Sequence, residues 1–224
     1  MLCDLDLAAL MSLHNKKILV ICGPTWVPID EMRVISNRST GKLGHLLAKS
    51  FQRSGAKVTL LEGPCTDIYT AKNVTVRKFF YYNELVSLLK TELKNNFDVI
   101  VHAAAISDYR LKNLYRGKLR SGLSKVKLIL VPTQKIINEI RRLAPRAVLV
   151  GFKLEPTPSL VALKKRGMGL IQKAECDFVV ANSLTPQYRG YIMNGLGEVL
   201  SSVSSRPELA TKLVRILNDH KQAG

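Results

Sequence analysis

The stretch that decides the fold is residues 16–44, which read KKILVICGPTWVPIDEMRVISNRSTGKLG. It begins with a continuous apolar run from Ile18 to Cys22, which is typical of a strand buried on both faces of a parallel sheet. Gly23-Pro24-Thr25 ends that run, and Lys42 to Ala48 reads as the start of a helix. Free backbone N–H groups and the helix dipole would attract an anion at such a place. The spacing alone leaves open both a phosphate or carboxylate site and an ordinary polar loop.

Further apolar strands alternate with helical segments along the rest of the chain. Strands are predicted at 17–22, 57–62, 74–79, 98–105, 126–131, 147–152 and 177–183, helices at 41–54, 83–93, 132–143, 159–173 and 206–219, and a hairpin within 191–203. We expect Asn83 to cap the second helix and Gly167 and Gly169 to break the fourth. The alternation predicts an α/β fold, a Rossmann-like doubly wound, mostly parallel sheet with helices on both faces. The loops after Cys22 and Ala105 should then meet at one sheet edge, where ligands bind.

Composition narrows the class of protein. The 224 residues carry a formal net charge of +17, which raises nucleic-acid binding as a possible function. The 34 basic residues are dispersed, however, in no run longer than Lys164-Lys165-Arg166. A basic surface with a site for several phosphate groups is the alternative. No apolar run has the length of a membrane span, and residues 1–15 read as a short lead-in rather than a signal peptide, so we expect a cytoplasmic protein.

The cysteines predict no metal site. Cys3, Cys22, Cys65 and Cys176 are widely spaced, and no group of cysteines and histidines has the spacing of a zinc motif. Cys22 and Cys176 lie in apolar runs, which favours buried, inert thiols.

A second motif follows the strand predicted at 98–105. Ala103-Ala104-Ala105-Ile106-Ser107-Asp108-Tyr109-Arg110 places small residues at a strand end, where a ligand can approach the backbone closely, and then supplies the carboxylate of Asp108. A plain turn capped by Asp108 is the alternative. The segment after it, residues 111–127, is polar, basic and glycine-containing. It could be a flap over a polyphosphate or a solvated loop.

Together these motifs resemble those of the phosphopantothenate–cysteine ligase (phosphopantothenoylcysteine synthetase) family. The resemblance rests on Gly23-Pro24-Thr25, on residues 35–44 (ISNRSTGKLG) and on residues 103–110 (AAAISDYR). In the family, a Lys-Ile-Lys-Lys motif lies on the flap, and here it reads Lys118-Leu119-Arg120-Ser121. The resemblance implies a single ligase-like domain over residues 16–224, in a stand-alone form, with the flap at 111–127.

The resemblance also implies an activity. Such a ligase joins 4′-phosphopantothenate and L-cysteine through an acyl-nucleotide intermediate, with Mg²⁺ and CTP or ATP, in coenzyme A biosynthesis. The family works as a homodimer, and neither nucleic acid nor membrane is an expected partner. Many bacterial relatives have Asp where Gln134 stands, and family members often have Ala where Lys153 stands. The bacterial branch is generally CTP-dependent, whereas the eukaryotic branch, which the Phe-Lys-Leu-Glu form of residues 152–155 resembles, favours ATP. These departures leave the choice between CTP and ATP open.

The same resemblance implies roles for individual residues. Asn37 would hydrogen-bond the acyl group, Arg33 would position the intermediate, and Lys118 would neutralise charge on the leaving pyrophosphate. The residues expected to bind substrate or nucleotide are Gly23, Ser39, Gly41, Lys42, Ala104, Ala105, Asp108, Phe152, Lys165 and Lys173.

Two other functions remain open. A nicotinamide-dependent oxidoreductase shares the layer architecture, and Glu62 could be the acid that ends its second strand, but Gly23-Pro24-Thr25 lacks the glycines of the dinucleotide fingerprint. A non-catalytic module that binds nucleotides or nucleic acid would explain the positive charge and predicts strongly salt-dependent binding.

Overall fold

A computed structural model describes residues 13–66, 69, 71–156, 159–184 and 187–220. The predicted lead-in, 1–15, lies mostly outside this range. The strands in chain order are β1 (Lys17–Cys22), β2 (Trp26–Pro28), β3 (Val34–Ser36), β4 (Lys57–Glu62), β5 (Val74–Lys78), β6 (Val99–His102), β7 (Tyr109–Leu111), β8 (Leu130–Pro132), β9 (Val148–Glu155), β10 (Phe178–Ser183), β11 (Arg189–Asn194) and β12 (Val199–Val203). The helices are α1 (Lys42–Arg53), α2 (Tyr82–Glu92), α3 (Ile136–Leu143), α4 (Leu160–Ala174) and α5 (Arg206–Asp219).

Eight of these strands form one sheet in the order β12-β11-β10-β9-β6-β1-β4-β5. Six neighbouring strands of this sheet, β10, β9, β6, β1, β4 and β5, pair in parallel. β11 and β12 add an antiparallel edge beside β10. This confirms the predicted fold class. The order reverses between β1 and β6, so the loops that follow these two strands part to opposite faces and leave a crevice between them.

The apolar runs are strands because both faces of the sheet are covered. One face packs on α1 and α5 through residues such as Leu47, Phe51 and Leu213. The other packs on α2, α3 and α4 through residues such as Leu85 and Ile140. A central strand therefore buries every side chain, as Ile18 to Cys22 do, and its sequence reads as a continuous apolar run.

Two predicted helix features are wrong. The N-cap of α2 is Tyr81 rather than Asn83, because Glu84 in the first turn accepts hydrogen bonds from the backbone N–H groups of Phe80 and Tyr81 at 2.7 and 3.2 Å. The two glycines predicted to break α4 instead lie within one continuous helix. Gly167 is buried against Met193, where an added Cβ would be only 2.7 Å from the sulfur, so close packing explains this glycine.

Two short antiparallel ribbons lie outside the main sheet. The pair β2–β3 and the pair β7–β8 were not predicted as ribbons, and the strand expected at 126–131 is reduced to β8. Val126 and Ile129, which gave that stretch its apolar appearance, are 45% and 53% exposed. The chain enters the β2–β3 ribbon directly after β1 and the β7–β8 ribbon directly after β6. Both ribbons therefore lie near the carboxyl ends of these two strands.

Candidate functional site

A cavity of about 510 Å³ opens at the carboxyl ends of the central parallel strands. The two sequence motifs supply much of its wall: residues 38–44 from the first and residues 103–108 from the second. Its basic members are Arg38, Lys42, Lys135, Lys153 and Arg206, and Asp108 is its one acidic member among the described residues. The cavity is therefore electropositive and suited to a ligand with several negative charges.

The loop over residues 37–41, which we call the motif loop, is held to the second motif by Asn37. The Asn37 side-chain amide donates to the backbone carbonyls of Ala105 and Ile106 at 2.9 and 3.2 Å. Gly41, at φ +73°, ends the loop in a left-handed conformation and precedes α1. Residues 41–44, where α1 begins, line the cavity. The free N–H groups of a helix N-terminus are suited to bind an anion.

The second motif is fixed by two threonines. The hydroxyl oxygen of Thr25, which is buried, accepts a hydrogen bond from the backbone N–H of Ser107 at 2.9 Å. The hydroxyl of Thr133 donates to the Ser107 carbonyl at 2.7 Å. Asp108 is thereby placed at the cavity, where its carboxylate pairs with Lys135 at 2.5 Å, and both side chains are about 60% exposed. Both charged groups are therefore accessible to a ligand from solvent.

The segment predicted to be a flap, residues 111–127, is tied to the β2–β3 turn by Asp30. One carboxylate oxygen of Asp30 accepts from the backbone N–H of Leu119 at 3.0 Å, and the other accepts from the N–H groups of Met32 and Arg33. These hydrogen bonds, led by the one from Leu119, lower the pKa of Asp30. The Arg33 guanidinium donates to the Leu119 carbonyl at 2.7 Å and pairs with Asp30 at 2.9 Å. Lys118 is thus held on an exposed segment at a fixed point.

The structure brings seven of the predicted site residues together in the wall of the cavity: Ser39, Gly41, Lys42, Ala104, Ala105, Asp108 and Phe152. Gly23, Arg33, Asn37 and Lys118 lie in the surrounding loops. Lys165 is an exposed residue of α4, and Lys173 lines a separate depression with Arg141 and Asp177. The structure therefore does not bring Lys173 to the cavity, and the predicted roles of the two lysines remain predictions.

Among the polar residues of the cavity wall that were not predicted as site residues are His102, Lys135, Asn182 and Arg206. Lys135 and Arg206 each stand next to the start of a helix, and His102 and Asn182 lie at or near the carboxyl end of a parallel strand. The predicted parallel sheet could have located the latter two, because the carboxyl ends of parallel strands lie at one edge. Lys135 and Arg206 carry no such signal, since basic residues are common throughout this chain.

Glu62 does not serve as the acid of a dinucleotide site. Its side chain is only 5% exposed, and one carboxylate oxygen lies 2.5 Å from Nε2 of His45. A carboxylate engaged in this way cannot receive the hydroxyls of a ribose. This arrangement gives the oxidoreductase alternative no support.

Comparison with known proteins identifies a family. The family model described as the DNA/pantothenate metabolism flavoprotein C-terminal domain matches residues 13–201. The Coenzyme A biosynthesis bifunctional protein CoaBC of Thermococcus kodakarensis is 38% identical over 175 residues, which is 77% of this chain and 42% of that protein. The chain spans about half the length of the curated relatives it matches.

Solved structures share the fold. The DNA/pantothenate metabolism flavoprotein from Streptococcus pneumoniae superposes with a TM-score of 0.81 at 25% identity, over 90% of this chain and 98% of that one. A Cab2 mutant in complex with phosphopantothenate-cysteine superposes with a TM-score of 0.75 at 20% identity, over 96% of this chain and 89% of that one. Among the described helices, none combines the length and the apolar character that crossing a membrane demands.

Proposed function

Because the chain belongs to the family of the DNA/pantothenate metabolism flavoprotein C-terminal domain, we propose that it joins 4′-phosphopantothenate and L-cysteine in coenzyme A biosynthesis. The observation that carries the proposal is the electropositive cavity that the two motifs build at the strand-order reversal. The named relatives act in coenzyme A biosynthesis, and one solved structure with this fold holds phosphopantothenate-cysteine.

The charge of the cavity fits the substrates. Phosphopantothenate carries a phosphate and a carboxylate, and a nucleoside triphosphate carries three phosphates. The five basic side chains of the cavity wall would balance these charges, and the α1 N-terminus adds N–H donors. The apolar parts of the wall, among them Phe152 and Leu154, offer a surface for a base or for the pantothenate chain.

The reaction would proceed in two steps. The phosphopantothenate carboxylate attacks the α-phosphorus, forms an acyl-nucleotide and releases pyrophosphate. The cysteine amine then attacks the acyl carbon, forms the amide and releases the nucleoside monophosphate. Asn37, which already bridges the two motifs, would orient the acyl group, and Arg33 would hold the intermediate from the flap side. Lys118 would stabilise charge on the departing pyrophosphate.

Mg²⁺ would accompany the nucleotide. Mg²⁺ is usually bound in proteins by one or two carboxylates together with substrate phosphates. Asp108 is the carboxylate that the described cavity offers, and it would bind the ion once its contact with Lys135 opens. When bound, the ion neutralises phosphate charge.

A homodimer is part of the proposal. The β2–β3 ribbon and its surroundings expose apolar side chains, including Met32 at 70%, Ile35 at 38% and Tyr81 at 38%. Met32 and Ile35 lie within two residues of Arg33 and Asn37 along the chain, so a second copy on this face would cover the rim of the site. The same family resemblance that assigns the ligase reaction implies this assembly.

The direct test is pyrophosphate release from the purified protein with Mg²⁺, 4′-phosphopantothenate and L-cysteine, run in parallel with CTP and ATP. We expect release that requires phosphopantothenate, and a product with the mass of 4′-phosphopantothenoylcysteine. The nucleotide that supports the faster release would decide between CTP and ATP, a choice that the residues Gln134 and Lys153 leave open. A folded sample that releases no pyrophosphate with either nucleotide would contradict the proposal and favour a binding module.

The flap assignment has its own test. Lys118→Gln should lower kcat at least tenfold, because it removes the charge that would stabilise the leaving group. Lys125→Gln is the matched control, since Lys125 is also an exposed lysine of residues 111–127. Equal activity of both variants would show that Lys118 has no special role.

A further inference from the structure

Three side chains with metal-binding atoms meet beneath the motif loop, although they are far apart in sequence. Cys22 ends β1, His45 lies in the first turn of α1, and Cys65 follows β4. Their ligand atoms all lie within 4.8 Å of one another. Both cysteines are free thiols. Cys22, which the sequence suggests is an inert buried thiol, is therefore part of a cluster.

The surroundings of the cluster are polar and buried. Glu62 Oε1 lies 2.5 Å from His45 Nε2, and the two side chains are 5% and 12% exposed. The ring of Tyr69 lies 5.0 Å from the His45 ring, centroid to centroid, and its hydroxyl is buried without a hydrogen-bond partner among the described residues. Buried polar groups of this kind are costly unless something compensates them, and a bound cation does so for thiolates and a carboxylate.

The glycines of the first motif make room for the cluster. A Cβ added to Gly41 would lie 2.1 Å from Cys65 Sγ, and one added to Gly44 would lie 2.1 Å from Cys22 Cβ. The backbone at the start of α1 thus rests directly on the two cysteines. The donors are held in place by three different elements before any ligand arrives, which favours binding because little ordering is required.

The cluster can be reached from solvent. Cys65 is only half-buried and provides a route of entry, whereas Cys22 is 1% exposed.

We propose that Cys22, His45 and Cys65 form a binding site for one Zn²⁺ ion. Two thiolates and one imidazole are donors that Zn²⁺ accepts in tetrahedral geometry, with water in the fourth position. Glu62, which is hydrogen-bonded to the His45 ring, would orient that ligand. The ion would tie β1, α1 and β4 together under the motif loop. The inference is independent of the ligase proposal.

The test is metal binding by the reduced, metal-free full chain. Titration with Co²⁺ should give the near-ultraviolet charge-transfer absorption of thiolate-bound cobalt and the intense visible bands of a tetrahedral ion. Zn²⁺ should displace it with a stoichiometry of one per chain, as measured by elemental analysis and by competition with a chromophoric chelator. Absence of the thiolate band, or failure of the reduced chain to bind zinc, would overturn the proposal.

Matched variants locate the site. Cys65→Ala should weaken Zn²⁺ binding at least 100-fold, whereas Cys176→Ala, which removes a buried thiol on the other face of the sheet, should leave it unchanged. Circular dichroism would confirm that each variant is folded. Equal zinc affinity of the Cys65 variant and the wild type would refute the assignment, and the cobalt spectrum of the wild type tests it even if a variant does not fold.

Discussion

Asn37 connects the two motifs through a single nitrogen atom. Its side-chain amide donates to two carbonyl oxygens of the second motif. In Asn37→Asp no donor remains, and a carboxylate oxygen would face those carbonyls. We therefore expect formation of 4′-phosphopantothenoylcysteine to fall at least tenfold, with a smaller effect on formation of the acyl-nucleotide, measured by quenched-flow analysis of both products.

The matched control for this prediction is Asn113→Asp, which makes the same change of charge at an exposed residue of the flap. If the two variants retain equal rates of product formation, the role of Asn37 is wrong.

His102 predicts how stability depends on pH. Its Nδ1 is buried without a partner among the described residues, although part of the ring reaches the cavity. Burial lowers the pKa of His102 to about 4. In the unfolded chain His102 has an ordinary pKa of about 6.5, so the unfolded state binds the proton first as the pH falls. The contribution of His102 to the unfolding free energy is therefore complete above about pH 6.5 and is lost between pH 6.5 and pH 4.

The measurement is urea unfolding at pH 7.5 and pH 5. His102 should account for about 2 kcal/mol of the decrease in unfolding free energy between these values. His102→Asn cannot titrate, and its decrease should be smaller by that amount. A variant whose stability falls as steeply as that of the wild type would show that His102 is not the group responsible.

At the scale of elements, the start of α1 depends on Gly41. Gly41→Ala should lower the unfolding free energy by about 2–4 kcal/mol, because alanine is strained at φ +73° and its Cβ would overlap Cys65 Sγ. Gly122→Ala is the control: it has φ +81° but nothing within 4 Å of the added Cβ, and it should cost only about 1 kcal/mol. Urea unfolding measures both.

Removal of the Cys65 sulfur distinguishes the steric overlap with Cys65 from the backbone strain at residue 41. Addition of Cys65→Ala to the Gly41 variant should recover part of the lost stability. If Gly41→Ala costs no more than Gly122→Ala, the close packing around α1 is not important for stability.

The elements differ in how far the sequence predicts them. The runs at β1, β4 and β10 are predictable because strands buried on both faces must be apolar throughout. The ribbons β2–β3 and β7–β8 have only three residues per strand, which is too short for a periodic pattern. The cap of α2 was missed because it depends on Glu84 rather than on the side chain at the cap position.

The residues of the candidate site also differ in how far the sequence predicts them. Residues within contiguous motifs, such as Ser39 and Asp108, could be placed from the sequence, because neighbours along a loop stay neighbours in space. The cluster of Cys22, His45 and Cys65 could not, because its members are more than 15 residues apart and no known spacing joins them. The pairing of β1 with β4 and the packing of α1 on the sheet bring them together.

At the scale of the whole molecule, the exposed apolar ribbon predicts association. The protein should sediment as a dimer at micromolar concentration, and Met32→Asp should weaken the dimer at least tenfold by placing a charge in the buried interface. Sedimentation velocity measures both. Leu196→Asp is the control, because Leu196 is 79% exposed and lies between β11 and β12. A monomeric wild type, or equal effects of the two substitutions, would contradict the proposed interface.

The central position of β1 has a consequence for synthesis of the chain. β1 is the first of the eight sheet strands to leave the ribosome, yet its two neighbours are β4, which ends at Glu62, and β6, which ends at His102. At about 5–20 residues per second, one edge of the nascent strand stays unpaired for a time on the order of seconds after the other is covered. KILVIC is therefore the segment at which we expect chaperones to shield the growing chain.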